Sequence, residues 1–308
     1  MSNTIENCFK VFYFTVRKGI KLIKLYFLFM KIQIQSSYTK RNMQYLKSFL
    51  GAFLGVLLFA GTVSAQKKSL PCVNKEFDVV ANIVITEGDT LGVEVDSILA
   101  VMERVNELLD PICVSFKICE LDTITNFNYD SVRVDEWDEM QVVYHQQRKI
   151  NIFWVSQFDF EDELCGVTEL GGVGNTENGG LLMLKGECVN EFAIAHELGR
   201  FFGVPYTFGD GEEQTEELVL GSNSSTTGDL LTDTPADPFV IGDDPESYVN
   251  IENNCRFVNT KRDNENEWYV PHVANIMSYY ADECKCDFTD EQYRLMVATY
   301  LATNPRLY

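Results

Sequence analysis

A short, predominantly apolar run, Ile150–Val155, constrains the fold of this chain more than any other stretch of its sequence. Successive side chains of a β-strand point to opposite faces, so a strand that is apolar on both faces is buried on both. Strands of this kind occur in sheets that are covered by further layers of structure. The run therefore predicts a central strand within a layered α/β fold.

The spacing of apolar residues predicts further elements around this strand. Phe77–Thr86 is rich in β-branched residues and predicts a strand, as does the alternation over Ile112–Cys119. A short strand is expected at Leu181–Leu184 and a helix at Asn190–Phe202. Between the first two strands, apolar residues recur at helical spacing: Val95, Ile98, Leu99, Met102, Val105 and Leu109.

The last third of the chain has a different character. Residues 209–246 carry many acids and no Lys or Arg, with frequent Gly, Ser, Asn and Pro, which predicts a long irregular region. Regular structure is expected to return near the end, where Thr289 and Gln292 have the spacing of a capping box.

Charge divides the chain into two unlike segments. Residues 1–65 hold nine Lys or Arg and a single acid, Glu6, out of chain totals of 25 basic and 46 acidic residues. Residues 66–308 therefore hold 16 basic and 45 acidic residues, a net charge of −29. A surface this acidic repels phosphate backbones and excludes nucleic acid as a partner.

Residues 43–65 have the pattern of a secretory signal peptide. A basic start is followed by an apolar run, Phe49–Gly61, and by small residues ending at Ala65. The run is too short for a stable membrane anchor. We therefore expect cleavage after Ala65 and a secreted or periplasmic mature protein without a membrane anchor.

Residues 1–42 precede this complete signal peptide and leave two interpretations open. They are an over-extended reading frame, or they contain a second membrane segment around Ile20–Met30. Lys21 and Lys24 interrupt that apolar run, which favours the first interpretation.

The cysteines are consistent with export. Eight lie beyond the signal peptide, an even number that predicts up to four disulfides: Cys72, Cys113, Cys119, Cys165, Cys188, Cys255, Cys284 and Cys286. Cys113 and Cys119 would lie roughly 20 Å apart along one strand, too far to bond to each other. No second pair has ligand spacing to complete a zinc knuckle with Cys284 and Cys286.

The helix expected at Asn190–Phe202 carries part of a zinc-binding signature, His-Glu-x-x-His-x-x-Gly-x-x-His. In that signature two histidines share one helix face, the glycine lets the chain turn towards a third, and the glutamate is the base for a zinc-bound water. His196, Glu197 and Gly203 match the signature. Arg200 stands at the second histidine position and Tyr206 at the third.

Around this motif the sequence resembles the metzincins, and within them the pappalysin/cytophagalysin family of secreted metalloproteases. The resemblance covers about residues 77–300. Besides the motif, four segments match in the family's order: Thr207-Phe208; Gly228–Pro235, which is similar to a Gly-Asp…Asp-Thr-Pro segment; Asn275–Tyr279, which resembles the Met-turn around Met277; and Phe288–Met296, which resembles the start of the last helix.

This resemblance implies an α/β metzincin-like domain over 66–308, with an upper part (66–203) and a lower part (204–308). We expect a twisted mixed sheet, two long helices above a cleft, an irregular C-terminal subdomain and stabilising disulfides. Met277 is expected to be a core residue that holds its turn.

The resemblance also implies a zinc site, and the departures from the family pattern fall on it. Of the three ligand positions only His196 is kept, and the guanidinium of Arg200 is a permanent cation that would repel Zn²⁺. We therefore predict an inactive pseudo-metallopeptidase that binds a peptide or protein near Leu181–Leu184.

Two alternatives remain open from the sequence. The first is an active zinc endopeptidase with unusual ligands, in which Glu197 is the general base and Tyr206 or Tyr279 replaces a histidine. The second is a non-enzymatic, calcium-dependent adhesion module. In that case Asp229 and Asp233 bind Ca²⁺ rather than capping a loop.

Overall fold

The computed structural model describes residues 69–160, 164–303 and 307. The predicted signal peptide at 43–65 and the segment 1–42 lie outside these residues. None of the helices in the described part of the chain is long and apolar enough to cross a membrane.

A five-stranded sheet forms the centre of the fold, and it has the mixed character that the sequence predicts. Its strand order is β2-β1-β4-β7-β6, and β6 alone runs antiparallel to its neighbour. Its strands are β1 (Lys75–Val84), β2 (Val114–Ile124), β4 (Ile150–Val155), β6 (Gly166–Thr168) and β7 (Gly180–Leu184). Two short pairs lie outside this sheet: β3 (Ser131–Val132) with β5 (Gln157–Phe158), and β8 (Val249–Asn250) with β9 (Arg256–Phe257).

The position of β7 corrects one prediction. The segment Leu181–Leu184 does form a strand, but β4 and β6 flank it on both sides, so it is not an edge of the sheet. The edge strand is β6, which the sequence did not reveal because three residues are too few to show an alternating pattern. A peptide that adds to this side of the sheet would therefore pair with Gly166–Thr168.

In the described part of the chain four helices surround the sheet: α1 (Val95–Leu109), α2 (Val134–Tyr144), α3 (Glu191–Phe201) and α4 (Asp290–Ala302). The apolar spacing predicted α1 correctly, although Leu99 is exposed rather than part of the buried face. Thr289 and Gln292 form the expected capping box of α4. Two long helices were expected above the cleft, and the described part of the chain has two more of comparable length. The sequence analysis did not predict α2.

Local chemistry fixes both ends of α3. The side chain of Asn190 accepts hydrogen bonds from the backbone N–H groups of Phe192 and Ala193, which would otherwise lack partners. Past the other end, Gly203 adopts a φ of 89°, which favours glycine. A side chain at 203 would also collide with Thr299 of α4. The glycine thus ends the helix and turns the chain.

The main core lies between the sheet and three of the helices. Val101 and Val105 of α1, Leu198 of α3 and Met296 of α4 are all buried in it together with Phe77 of β1. The last helix thus packs on the same core as the first strand. The irregular region before it stays largely without helix or strand over 209–246, as predicted. The division of the domain at residues 203 and 204 remains a prediction.

Three disulfides join described residues: Cys72–Cys113, Cys165–Cys188 and Cys255–Cys284. They confirm a disulfide-stabilised fold and the exclusion of a Cys113–Cys119 bond. Cys119 is free and exposed. It is the extra residue of a β-bulge opposite Val79 and Val80.

Maleimide treatment of the native protein should label Cys119 because its thiol is exposed. The peptides that carry the six bridged cysteines should take up label only after reduction. Peptide mapping by mass spectrometry measures this, and Cys119→Ser is the control that should lose the native label. Label on Cys72 or Cys255 without reductant would contradict the disulfide arrangement.

Candidate functional site

The candidate site lies where helix α3 meets the turn Asn275–Tyr279. The buried Met277 packs beneath Gly199, and a side chain at 199 would come within 2.5 Å of the Met277 sulfur atom. The turn is in turn fixed to α4, because the side-chain amides of Asn275 and Gln292 hydrogen-bond to each other in both directions. Met277 is therefore a core residue of this turn.

His196 points from α3 to the same turn. Its Nδ1 atom lies 2.8 Å from the carbonyl oxygen of Ile276, which leaves Nε2 as the ring nitrogen available to a ligand. Burial, together with the nearby cations Lys285 and Arg200, lowers the pKa of His196 to about 3. The ring is therefore neutral and acts as a hydrogen-bonding group of the core.

Glu197 connects the helix to the edge of the sheet. Gly166 of β6 lies directly over it, and a side chain at 166 would approach the Glu197 Cγ atom to 2.7 Å. Burial raises the pKa of Glu197 to about 8, against the opposing influence of Arg200 and Lys285. The carboxyl group is thus held in an apolar site beside the strand that a bound peptide would extend.

Arg200 and Tyr206 fill the space next to His196. The guanidinium carbon of Arg200 lies 3.8 Å from the centre of the Tyr206 ring, a close cation–π stack. The ring of His196 also stacks with that of Tyr206, and their centres are 5.4 Å apart. Tyr279 packs edge-on against Tyr206 at 4.9 Å.

These residues do not fit a catalytic zinc ion. A guanidinium has no lone pair to offer a metal, so Arg200 contributes charge repulsion instead of a ligand. Burial and Tyr206 raise the pKa of Tyr279, which disfavours the phenolate that would be needed for ligation. His145 and His272 are engaged elsewhere, with Thr176 and Asp287. No group of three or more His, Cys, Asp or Glu side chains in the described ranges is arranged to hold a metal.

A second cluster of polar groups lies in the irregular region. Both carboxylate oxygens of Glu217, one of Asp229 and the hydroxyl of Thr234 are buried and have no hydrogen-bond partner within the described residues. Burial raises the pKa of Glu217 to about 8 and that of Asp229 to about 7. The charge of Asp229 contributes to the rise at Glu217, and the charges of Asp233 and Asp237 contribute to the rise at Asp229. Buried oxygen atoms without donors call for a partner such as an ion, and Ca²⁺ takes oxygen ligands.

The structure does not bring Asp233 into this cluster of orphaned oxygens. The exposed carboxylate of Asp233 accepts a hydrogen bond from the backbone N–H of Glu291 at the start of α4. Asp237 lies near Glu217 and Asp229, but the hydroxyls of Thr207 and Tyr280 donate to it.

Two residues of these sites escaped the sequence analysis. Glu217 is one of eleven acids over 209–246, and nothing in its spacing distinguishes it from Glu216. Lys285 lies between two cysteines, and the sequence pattern there indicates only the cysteines. It is buried, paired with Asp282 at 2.8 Å, and its charge acts on His196.

The comparisons with known proteins find a similar structure but no matching sequence. No protein-family model and no curated protein sequence matches the chain. Mature mirolysin of Tannerella forsythia, a metallopeptidase solved in complex with a cleaved peptide, is similar in structure with a TM-score of 0.51 at 15% identity. The match covers 73% of this chain and 91% of mirolysin.

A metalloproteinase of Bacteroides fragilis is a weaker match, with a TM-score of 0.32 and 13% identity over 46% of this chain and 45% of that one. That second likeness is too low to bear on the fold. The mirolysin match, the mixed sheet and the turn beneath α3 together show that the chain has a metallopeptidase-like, metzincin-like α/β fold.

Proposed function

We propose that this protein is an exported pseudo-metallopeptidase of the pappalysin/cytophagalysin type, which binds peptides in its cleft without hydrolysing them. The observation that carries the proposal is the stack of Arg200 on Tyr206 beside His196. Both residues stand where the zinc-binding signature requires histidines. Without a ligand set for zinc, the site lacks the Lewis acid that activates water in this class of enzyme.

The edge strand β6 supports the binding of an extended peptide. The backbone N–H of Leu184 donates to the carbonyl oxygen of Cys165, so alternation along an antiparallel pair turns the N–H groups of Gly166 and Thr168 away from β7. An added strand would pair with these groups. They lie beside Glu197, so a peptide on this edge would cross the candidate site.

Retention of peptides at this edge tests the binding function. A mixture of acetylated random octapeptides should be retained by the immobilised protein and recovered uncleaved. Thr168→Pro should reduce retention strongly because it removes one outward N–H group. Thr168→Val is the matched control, since it loses the hydroxyl that bonds Gly180 but keeps the N–H group.

Metal content tests the loss of catalysis in the same preparation. After expression of the full chain, the purified protein should carry well under one equivalent of zinc by elemental analysis. Stoichiometric zinc together with chelator-sensitive cleavage of the octapeptides would overturn the proposal. The active endopeptidase with unusual ligands would then be the correct function.

A second role, structural binding of calcium, is favoured by the orphaned oxygen atoms of Glu217, Asp229 and Thr234. Two neighbouring buried carboxylates with three oxygen atoms that lack donors among the described residues destabilise a folded chain unless a cation neutralises them. A calcium ion held by these groups would stabilise the irregular region below the cleft. Such a role is compatible with peptide binding and does not require catalysis.

A further inference from the structure

The guanidinium of Arg200 is a half-buried cation that forms no salt bridge with the described residues, although its charge acts on Glu197. Its Nε atom is fully buried and has no hydrogen-bond partner among the described residues. No ion pair within the described ranges includes Arg200, although Glu197 lies one helical turn away. Stacking on Tyr206 holds the planar group in one orientation.

A second arginine among the described residues, Arg262, also stacks on an aromatic ring but differs from Arg200 in its hydrogen bonding. Arg262 lies 3.5 Å from the ring centre of Trp268, but its guanidinium also donates to the carbonyl oxygen of Asn266. An arginine in this protein can therefore stack on a ring and still donate a hydrogen bond from its guanidinium. At Arg200 the buried Nε atom has no such partner within the described residues.

We propose that Arg200 is the receptor for a carboxylate of the bound peptide. A guanidinium offers donors in a planar fork that matches a carboxylate, and the stack on Tyr206 already fixes its orientation. The edge strand β6 lies on the same side, since Gly166 covers Glu197 one turn before Arg200. A peptide that pairs with β6 can thus reach Arg200 with an acidic side chain or with its C-terminal carboxylate.

The charge of the remaining surface makes this interaction selective. Residues 66–308 have a net charge of −29, so an acidic ligand is repelled almost everywhere else on the protein. Like-charge repulsion outside the cleft and attraction at Arg200 together favour a single docking position for a carboxylate. This inference rests on the peptide-binding function and specifies the chemistry of its ligand.

The test uses four mixtures of acetylated random octapeptides. They differ in whether the C-terminus is a free carboxylate or an amide, and in whether Asp and Glu are included or left out. Mixtures with a carboxylate should be retained about tenfold more strongly than the amidated mixture without acids. The carboxylate source follows from whether the free terminus or the acidic side chains give this preference.

Arg200→Gln should remove the preference, and Arg262→Gln should leave it unchanged as the matched control. Arg200→Lys keeps the charge but not the fork and should retain only part of the preference. Equal retention of all four mixtures by the wild type would refute the role of Arg200 while leaving peptide binding intact. Retention of none would refute the peptide-binding function itself, so the two failures are distinguishable.

Discussion

The double variant Arg200→His and Tyr206→His is expected to bind about one equivalent of zinc. It removes the cation that opposes a metal and places two neutral imidazoles at the positions that the zinc signature requires. His196 already presents Nε2, because its Nδ1 atom is bonded to Ile276. Structural zinc sites contribute on the order of 10 kcal/mol at neutral pH. A dissociation constant well below micromolar is therefore expected by competition with a chromogenic chelator.

A second double variant controls for the mere presence of new histidines. Arg262→His and Trp268→His also replaces a guanidinium stacked on an aromatic ring, but away from His196. It should bind zinc no more tightly than the wild type. If the first double variant folds, as judged by circular dichroism, and still binds no zinc, the helix and turn do not have the geometry proposed for them.

Calcium should raise the midpoint of thermal unfolding of the wild-type protein by several degrees. A ligand present at about 100 times its dissociation constant stabilises the folded state by about 2.7 kcal/mol. For a domain of this size that corresponds to a shift on the order of 5–10 °C. Differential scanning fluorimetry in calcium and in chelator measures the shift, and magnesium should give a smaller one.

Glu217→Gln should have opposite effects on the midpoint of thermal unfolding in chelator and in calcium. In chelator it should raise the midpoint, because it removes a buried carboxylate that has no hydrogen-bond donor in the described structure. In calcium it should abolish most of the stabilisation, because it removes a ligand. Glu216→Gln makes the same change in charge at an exposed neighbour and should leave the calcium shift intact. A lowered midpoint of Glu217→Gln in chelator would contradict the assignment.

The sequence predicted the elements whose apolar pattern is long and regular. The span of α1 follows from its helical spacing, and the burial of Ile150–Val155 follows from its composition. Capping chemistry predicted the start of α4, since Thr289 and Gln292 satisfy backbone groups that any helix end leaves free. These features depend on residues close together in the chain, and for that reason they can be read without a structure.

The remaining features depend on contacts between distant segments. The edge strand β6 exists because Gly166–Thr168 pairs with β7, and its sequence alone has no strand pattern. Helix α2 has few buried apolar residues, with Val142 and Val143 exposed, so its spacing gives no clear face. Glu217 is distinguished from other acids only by its burial near Asp229.

The contact between Gly199 and Met277 gives this part of the chain a structural role that does not depend on zinc chemistry. The glycine, the methionine and the bond from His196 to Ile276 hold helix and turn together whether or not a metal is present. This packing is enough to explain why a histidine stands at position 196. At positions 200 and 206 the chain has a stacked Arg-Tyr pair in place of metal ligands. A His-Glu pair above such a turn therefore indicates how the helix is packed and does not by itself indicate hydrolysis.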